Sequence, residues 1–149
     1  MSRELVFRSE LAATPERVWA WISSVDSISR ELRPLLVMTA PAHVRNLADV
    51  ALQPGVPLFR SWLLLFGLLP FDRSDLTLLR LEPGVGFLEE SPMLSMKLWR
   101  HERWLEPLAS GTRLTDRLTF EPRFAAPLVS WFVRTLVGHR HRVLRAQLG

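Results

Sequence analysis

Residues 4–12 set Leu5, Phe7, Ser9 and Leu11 against Val6, Arg8 and Glu10, the period-two pattern of a half-buried strand. Thr14-Pro15 then opens a helix, with Thr14 as N-cap, proline at the first helical position and Glu16 near the positive pole. Val18, Trp19 and Ile22 form its apolar stripe. A second short helix is expected from about Ser24 to Leu32, with Val25, Ile28 and Leu32 inward and Pro34 helping to end it. Leu35 to Thr39 reads as a short strand. Pro41 to Pro57, with Pro54 and Gly55 inside it, is the least regular stretch, a crossover or lid with a turn of helix around Val44 to Val50.

From Leu58 the rhythm becomes an antiparallel meander, with strands predicted at 58–68, 73–82, 85–91, 96–105 and 112–121. Turn residues separate them at Pro70 to Arg73, Pro83-Gly84, Pro92 and Pro107 to Gly111. The run 58–68 is apolar on both faces, and its reading as a strand rests on the meander that follows. Residues 126–147 carry Leu128, Trp131 or Phe132, Leu136, His139 and Val143 at helical spacing, and Arg140, Arg142 and Arg145 suit the negative pole of that helix. The fold class is therefore α+β. A curved antiparallel sheet of about seven strands has one apolar face to cover, and the last helix is the long element available to cover it.

The two strands before that helix are the most informative. Arg100, Glu102, Arg113, Thr115, Arg117 and Thr119 fall on one face of the hairpin and suit water. Trp99, His101, Arg103, Leu105, Leu114, Asp116, Leu118 and Phe120 fall on the other. An apolar wall with a few convergent polar groups is the usual form of a small-ligand pocket. Pairing Leu105 with Thr112 would set Arg103 opposite Leu114 and His101 opposite Asp116, where the carboxylate favours the charged imidazole. His101, Arg103 and Asp116 are thus expected to form one polar cluster. It could specify strand register, contact a ligand, or act as an acid–base pair. Arg103 could hold a ligand carboxylate or phosphate, or pair internally with Asp116 or Glu89. Which way Glu89 faces is left open at this point. Trp99, Leu118, Phe120, Leu128 and Phe132 are expected to line the cavity, joined by Trp62 or Phe66.

Composition narrows the classes. The 149 residues fit one domain, and near-half apolar content is that of an ordinary globule. The sequence pI of about 11.1 comes from a net charge of only +4 combined with a single lysine, Lys97, and no tyrosine or cysteine, so it is weak evidence for a nucleic-acid partner and none is expected. Absent cysteine excludes disulfides, thiolate metal ligands and cysteine nucleophiles, and fits a cytoplasmic location. The apolar run Trp62 to Leu69 is far short of the roughly 20 residues that span a bilayer, so no integral membrane contact is expected. Met1 to Glu4 leads straight into a strand without a secretory segment. His101-Glu102 opens like a zincin motif but lacks the second histidine and lies on a strand, so no metal is implied. His139 and His141 point to different sides of a helix and cannot chelate one metal; with Arg134, Arg140, Arg142 and Arg145 they read as a solvated helix end, the alternative being a patch for nucleic acid or an anionic membrane.

Several of these segments resemble the helix-grip superfamily (SRPBCC), which covers START lipid-transfer domains, polyketide cyclase and dehydratase-like proteins, and the birch-pollen-allergen type. The resemblance runs through Phe7-x-Ser9-x-Leu11-x-Ala13-Thr14-Pro15-x-x-Val18-Trp19, then Phe87-Leu88-Glu89-Glu90-Ser91, Trp99-x-His101-x-Arg103, Gly111-Thr112-x-Leu114-x-Asp116-x-Leu118 and the helix ending Phe132 to Leu144. It is similar, more narrowly, to small bacterial ligand-binding members. The resemblance implies a helix-grip domain over residues 1–149, with two short helices after the first strand, that binds a small, largely hydrophobic molecule, neutral or anionic, between sheet and C-terminal helix. It implies no cofactor, since the His-x-x-x-His and carboxylate of the oxygenase members are lacking. The alternatives are a cyclase or dehydratase-type enzyme using His101 and Asp116 in the same cavity, and a protein-interaction module contacting a partner through 41–57 and 58–69.

Overall fold

The computed structural model describes residues 2–49 and 53–149. Its first strand, β1 (Arg3–Leu11), leads into α1 (Pro15–Ile22), where the Thr14 side chain accepts the Arg17 backbone N–H as the capping pattern requires. Ser24 caps α2 (Val25–Leu32) in the same way, accepting from the Ser27 N–H. After β2 (Leu36–Met38), the irregular stretch contains a short 3-10 turn at Leu47–Asp49, while Val50, where the expected helical turn ended, lies outside the described residues. The meander is β3 (Pro57–Leu65), β4 (Leu69–Glu82), β5 (Gly86–Glu90), β6 (Met96–Leu108) and β7 (Gly111–Pro122), and α3 (Ala126–Leu148) follows.

Among the described residues the strands form one antiparallel sheet in the order β1-β7-β6-β5-β4-β3-β2. The chain thus places its first strand beside its last, and the sheet curls around α3. The 58–68 run is a strand, paired with β4 from Pro57 opposite Thr77 to Leu65 opposite Leu69. The turn after it is not where Pro70 suggests. Pro70 to Arg73 lies inside β4, and the chain reverses at Phe66-Gly67, where both residues have positive φ (53° and 74°) and the Leu68 N–H donates to the Leu65 carbonyl. Two left-handed residues in succession match the twist of a hairpin, and Gly67 takes that conformation without a Cβ penalty.

The β6–β7 register also differs from the expected one. Leu105 pairs with Leu114, Arg103 with Asp116 and His101 with Leu118, because the hairpin closes tightly between Leu108 and Gly111. The slip is two residues, so every side chain keeps its face. Gly86 lets β5 press against β6 here: a Cβ at that position would lie 2.2 Å from the Arg103 carbonyl oxygen.

Among the described residues four apolar clusters lie between sheet and helices. Leu11, Val18, Ile22, Leu105, Leu114 and Leu144 close one end; Leu118, Phe120, Val133 and Val137 pack under the middle of α3. The other two gather Val25, Phe59, Leu78 and Phe87, and Leu32, Leu36, Leu63 and Leu136. The inward face of α3 is rotated from the expected one. Val133, Leu136, Val137, Arg140, His141, Leu144 and Leu148 are buried, whereas Leu128 and Trp131 are mostly exposed. Arg140 is therefore not part of a solvated helix end.

Candidate functional site

A cavity of about 530 Å³ lies between α2, α3 and the concave face of the sheet. Its walls are mainly Ile28, Leu32, Phe59, Leu63, Leu78 and Phe87 from α2 and the sheet, with Trp99 and Leu118 from the β6–β7 hairpin. The α3 side contributes Val129, Phe132, Val133 and Leu136. Phe66, Phe71, Phe124, Leu128 and Trp131 also line it, and all five are exposed, so the open end is rimmed by apolar side chains from the β3–β4 hairpin and the start of α3. The chain has few polar groups to offer this space. Asp72, Ser74 and Ser95 form one group, in which Asp72 accepts the backbone N–H of Arg73 (2.8 Å) and of Ser95 (3.1 Å) together with the Ser95 hydroxyl. Glu89, His101 and Arg140 form the other, at the foot of the cavity wall.

That second group is the accessible edge of a buried ionic network. Arg103, with no solvent exposure, donates from Nε and Nη2 to the two oxygens of Asp116 (2.7 and 2.8 Å) and from Nη1 and Nη2 to those of Glu31 (3.1 and 2.9 Å). A guanidinium is the one side chain whose planar fork can bridge two carboxylates in this way. Asp116 is completed by His101 Nε2 and His141 Nε2, each 2.7 Å away, and His141 Nδ1 lies 2.7 Å from the Ser9 hydroxyl. Glu31 is completed by Trp21 Nε1 at 2.8 Å and Arg140 Nε at 3.0 Å. On its other side, His101 Nδ1 is 3.7 Å from Glu89, whose second oxygen accepts from Ser91 at 2.6 Å.

The network's charges support one another. Burial works against ionisation of Asp116, but Arg103 and His101 outweigh it and hold the carboxyl well below the usual range. Glu31 is lowered likewise, burial being overcome by Arg103 and Arg140. Burial disfavours charge on His101, yet Asp116 and Glu89 raise its pKa against the opposing charge of Arg140. Arg103 is raised for the same reason, its two carboxylates outweighing burial.

Of the expected site residues, Phe66, Trp99, His101, Leu118, Leu128 and Phe132 border the cavity. His101, Arg103 and Asp116 do form one buried cluster, although Arg103 and Asp116 sit behind the wall rather than in it. Phe120 is also behind it, its ring 6.1 Å from that of Trp99 and packed under α3. Trp62 is on the outside of the sheet, with Arg73 over its ring at 5.8 Å. Alternation explains this, since Ser61 and Leu63 take the inward positions of β3. Trp62→Ala should leave uptake of an apolar fluorophore within about twofold, with little change in melting temperature, as for an exposed side chain. Glu89, open in the sequence, faces inward. Ser9, Glu31, Arg140 and His141 are not evident for this role in the sequence, and each carries only a weak signal: Ser9 shares strand parity with Leu5, Phe7 and Leu11. Glu31 follows Ile28 by three positions on the inner face of α2, and Arg140 and His141 follow Leu136 and Val137 by four on α3.

A sheet curled around a long C-terminal helix, with two short helices after the first strand and a cavity between them, is the helix-grip fold. Solved structures of that shape match nearly the whole chain. They include protein CV1439 from Chromobacterium violaceum (16% identity, TM-score 0.69, covering 95% of this chain and 97% of that one) and a START superfamily protein from Mycobacterium smegmatis (12%, 0.67, 97% and 96%). The ZhuI aromatase/cyclase from Streptomyces sp. R1128 is a third (12%, 0.63, 99% and 93%). At these identities the likeness is one of fold. Residues 9–148 match the model of a domain of unknown function, DUF8410, and the chain belongs to that family. No curated protein matches the sequence. No helix among the described residues is long and apolar enough to cross a membrane.

Proposed function

We propose that this protein binds a small, largely hydrophobic molecule in the cavity between its sheet and α3. The observation that carries the reading is the cavity itself: about 530 Å³ of apolar-walled space that opens through an apolar rim. Small-molecule sites commonly span roughly 300–1,000 Å³ and pair an apolar lining with a few placed polar groups. The fold fits hydrophobic ligand binding, and one structural neighbour is a START superfamily protein.

Binding is favoured over the cyclase or dehydratase alternative by the way His101 is held. Its Nε2 is committed to Asp116 and its Nδ1 faces the Glu89 carboxylate at 3.7 Å, so both ring nitrogens are turned to carboxylates of the protein. The test is a fluorescence titration with N-phenyl-1-naphthylamine, a neutral apolar dye. The expected result is saturable binding with a blue-shifted emission. Phe132→Ala should weaken it several-fold while lowering stability by less than the roughly 3–5 kcal/mol of a fully buried phenylalanine, because Phe132 borders open space. Absence of saturable binding, or a large loss of stability with unchanged dye binding, would mean that the space is not a ligand site.

A further inference from the structure

We propose that Arg140 anchors an anionic head group, so that the cavity takes carboxylate-bearing apolar molecules in preference to neutral ones of the same shape; this rests on the cavity being a ligand site. Arg140 borders the cavity and is only 9% exposed. Its Nε donates to Glu31, which fixes the plane of the guanidinium. Neither Nη has an acceptor among the described residues, and the side chain that carries them lines the cavity.

The neighbouring carboxylates cannot supply one. Glu31 already receives Arg103 twice, Trp21 Nε1 and Arg140 Nε. Asp116 receives Arg103 twice and both histidines. Glu89 is turned the other way, bonded to Ser91 and facing His101 Nδ1. A cationic edge with two free donors, set in a low-dielectric apolar wall, selects an acceptor that carries negative charge. His101, whose charged form is favoured by its carboxylate partners, is close enough to feel Arg140 and adds to the positive field there. A carboxylate presents two oxygens to the two free nitrogens and carries the single negative charge that one guanidinium balances. The rest of the ligand would lie along Trp99, Leu136 and Phe132.

Competition against bound N-phenyl-1-naphthylamine tests this with two displacers of equal chain length, dodecanoate below its micelle-forming concentration and dodecan-1-ol below its solubility limit. In the wild-type protein dodecanoate should displace the dye at a concentration at least about tenfold lower than dodecanol, the scale of a charge-assisted pair. Dodecanol is the more hydrophobic of the two, so an apolar hole alone would give the opposite order. Arg140→Met should bring the ratio to one or below. If that variant does not fold, Arg140→Gln, which keeps a donor for Glu31 but not the charge, should do the same. A wild-type ratio near one, or a preference that survives in a folded Arg140 variant, would overturn the anchor while leaving the container reading intact. Failure of the dye itself to bind the wild-type protein would sink both.

Discussion

Arg103→Met is expected to lower the melting temperature by on the order of 10 °C. The substitution fills a similar volume but leaves Asp116 and Glu31 buried with half their donors gone. Breaking a buried ion pair from one side costs roughly 3–5 kcal/mol, and for a domain of this size each kcal/mol moves the midpoint by about 2–4 °C. Arg103→Lys should be nearly as damaging. A lysine carries the charge, but it cannot donate two parallel bonds to each of two carboxylates. Thermal unfolding of both variants checks this, and a lysine variant close to the wild type would mean that charge, not the bridging fork, holds the network together.

The second large effect is pH dependence, and it has two limbs of opposite sign. Asp116 and Glu31 are depressed in the folded state, so their stabilisation is present above the ordinary carboxylate range and is lost as pH falls through their folded values. His101 is raised, so its contribution is complete below about pH 6.5, its ordinary value, and is lost as pH rises through the folded value. The groups facing His101 are Asp116, Glu89 and Arg140, with the Phe87 ring edge-on at 5.6 Å. Stability should therefore peak in the mildly acidic range. His101→Gln, which retains a donor for Asp116, should cost most at about pH 5–6 and progressively less above pH 6.5. A difference between the two proteins that widens as pH rises would show that His101 is held neutral.

The hairpin shows what a sequence can and cannot reveal. Alternation assigned Trp99, His101, Arg103, Leu105, Leu114, Asp116, Leu118 and Phe120 to one face, and that face is the inner one. Register was not legible, because it depends on where the turn closes, and several residues between Glu106 and Gly111 are compatible with a turn. The cluster survived the error because a two-residue slip conserves the face. The β3–β4 turn is hard to place for a related reason: Pro70 draws attention to 70–73, while the reversal needs only Gly67 and a phenylalanine held at positive φ.

Long-range ion pairing was the least legible feature. Arg103 meets Glu31 across 72 positions and Arg140 meets it across 109. A charged residue on a short helix or near a helix end is by default assigned to water, and helical spacing from an inward apolar neighbour is only a weak sign that it turns inward and does not name its distant partner. On α3 the apolar residues are spread around much of the helix, so periodicity points to Leu128 and to Trp131 or Phe132, at the open rim and the cavity wall, rather than to Val133, Val137 and Leu144 beneath. The cavity depends on that rotation, since it is what brings Arg140 to the wall and leaves the start of α3 to frame the opening.

The most direct test of the central claim is a methyl NMR titration of the protein with N-phenyl-1-naphthylamine. The account predicts saturable shifts concentrated on Leu78, Leu118, Val133 and Leu136, which line the cavity from opposite sides, with little change at Leu11, Val18 and Leu144 in the closed end. Shifts confined to the exposed Leu68, Leu69 and Leu94, or no saturable shifts at all, would contradict it.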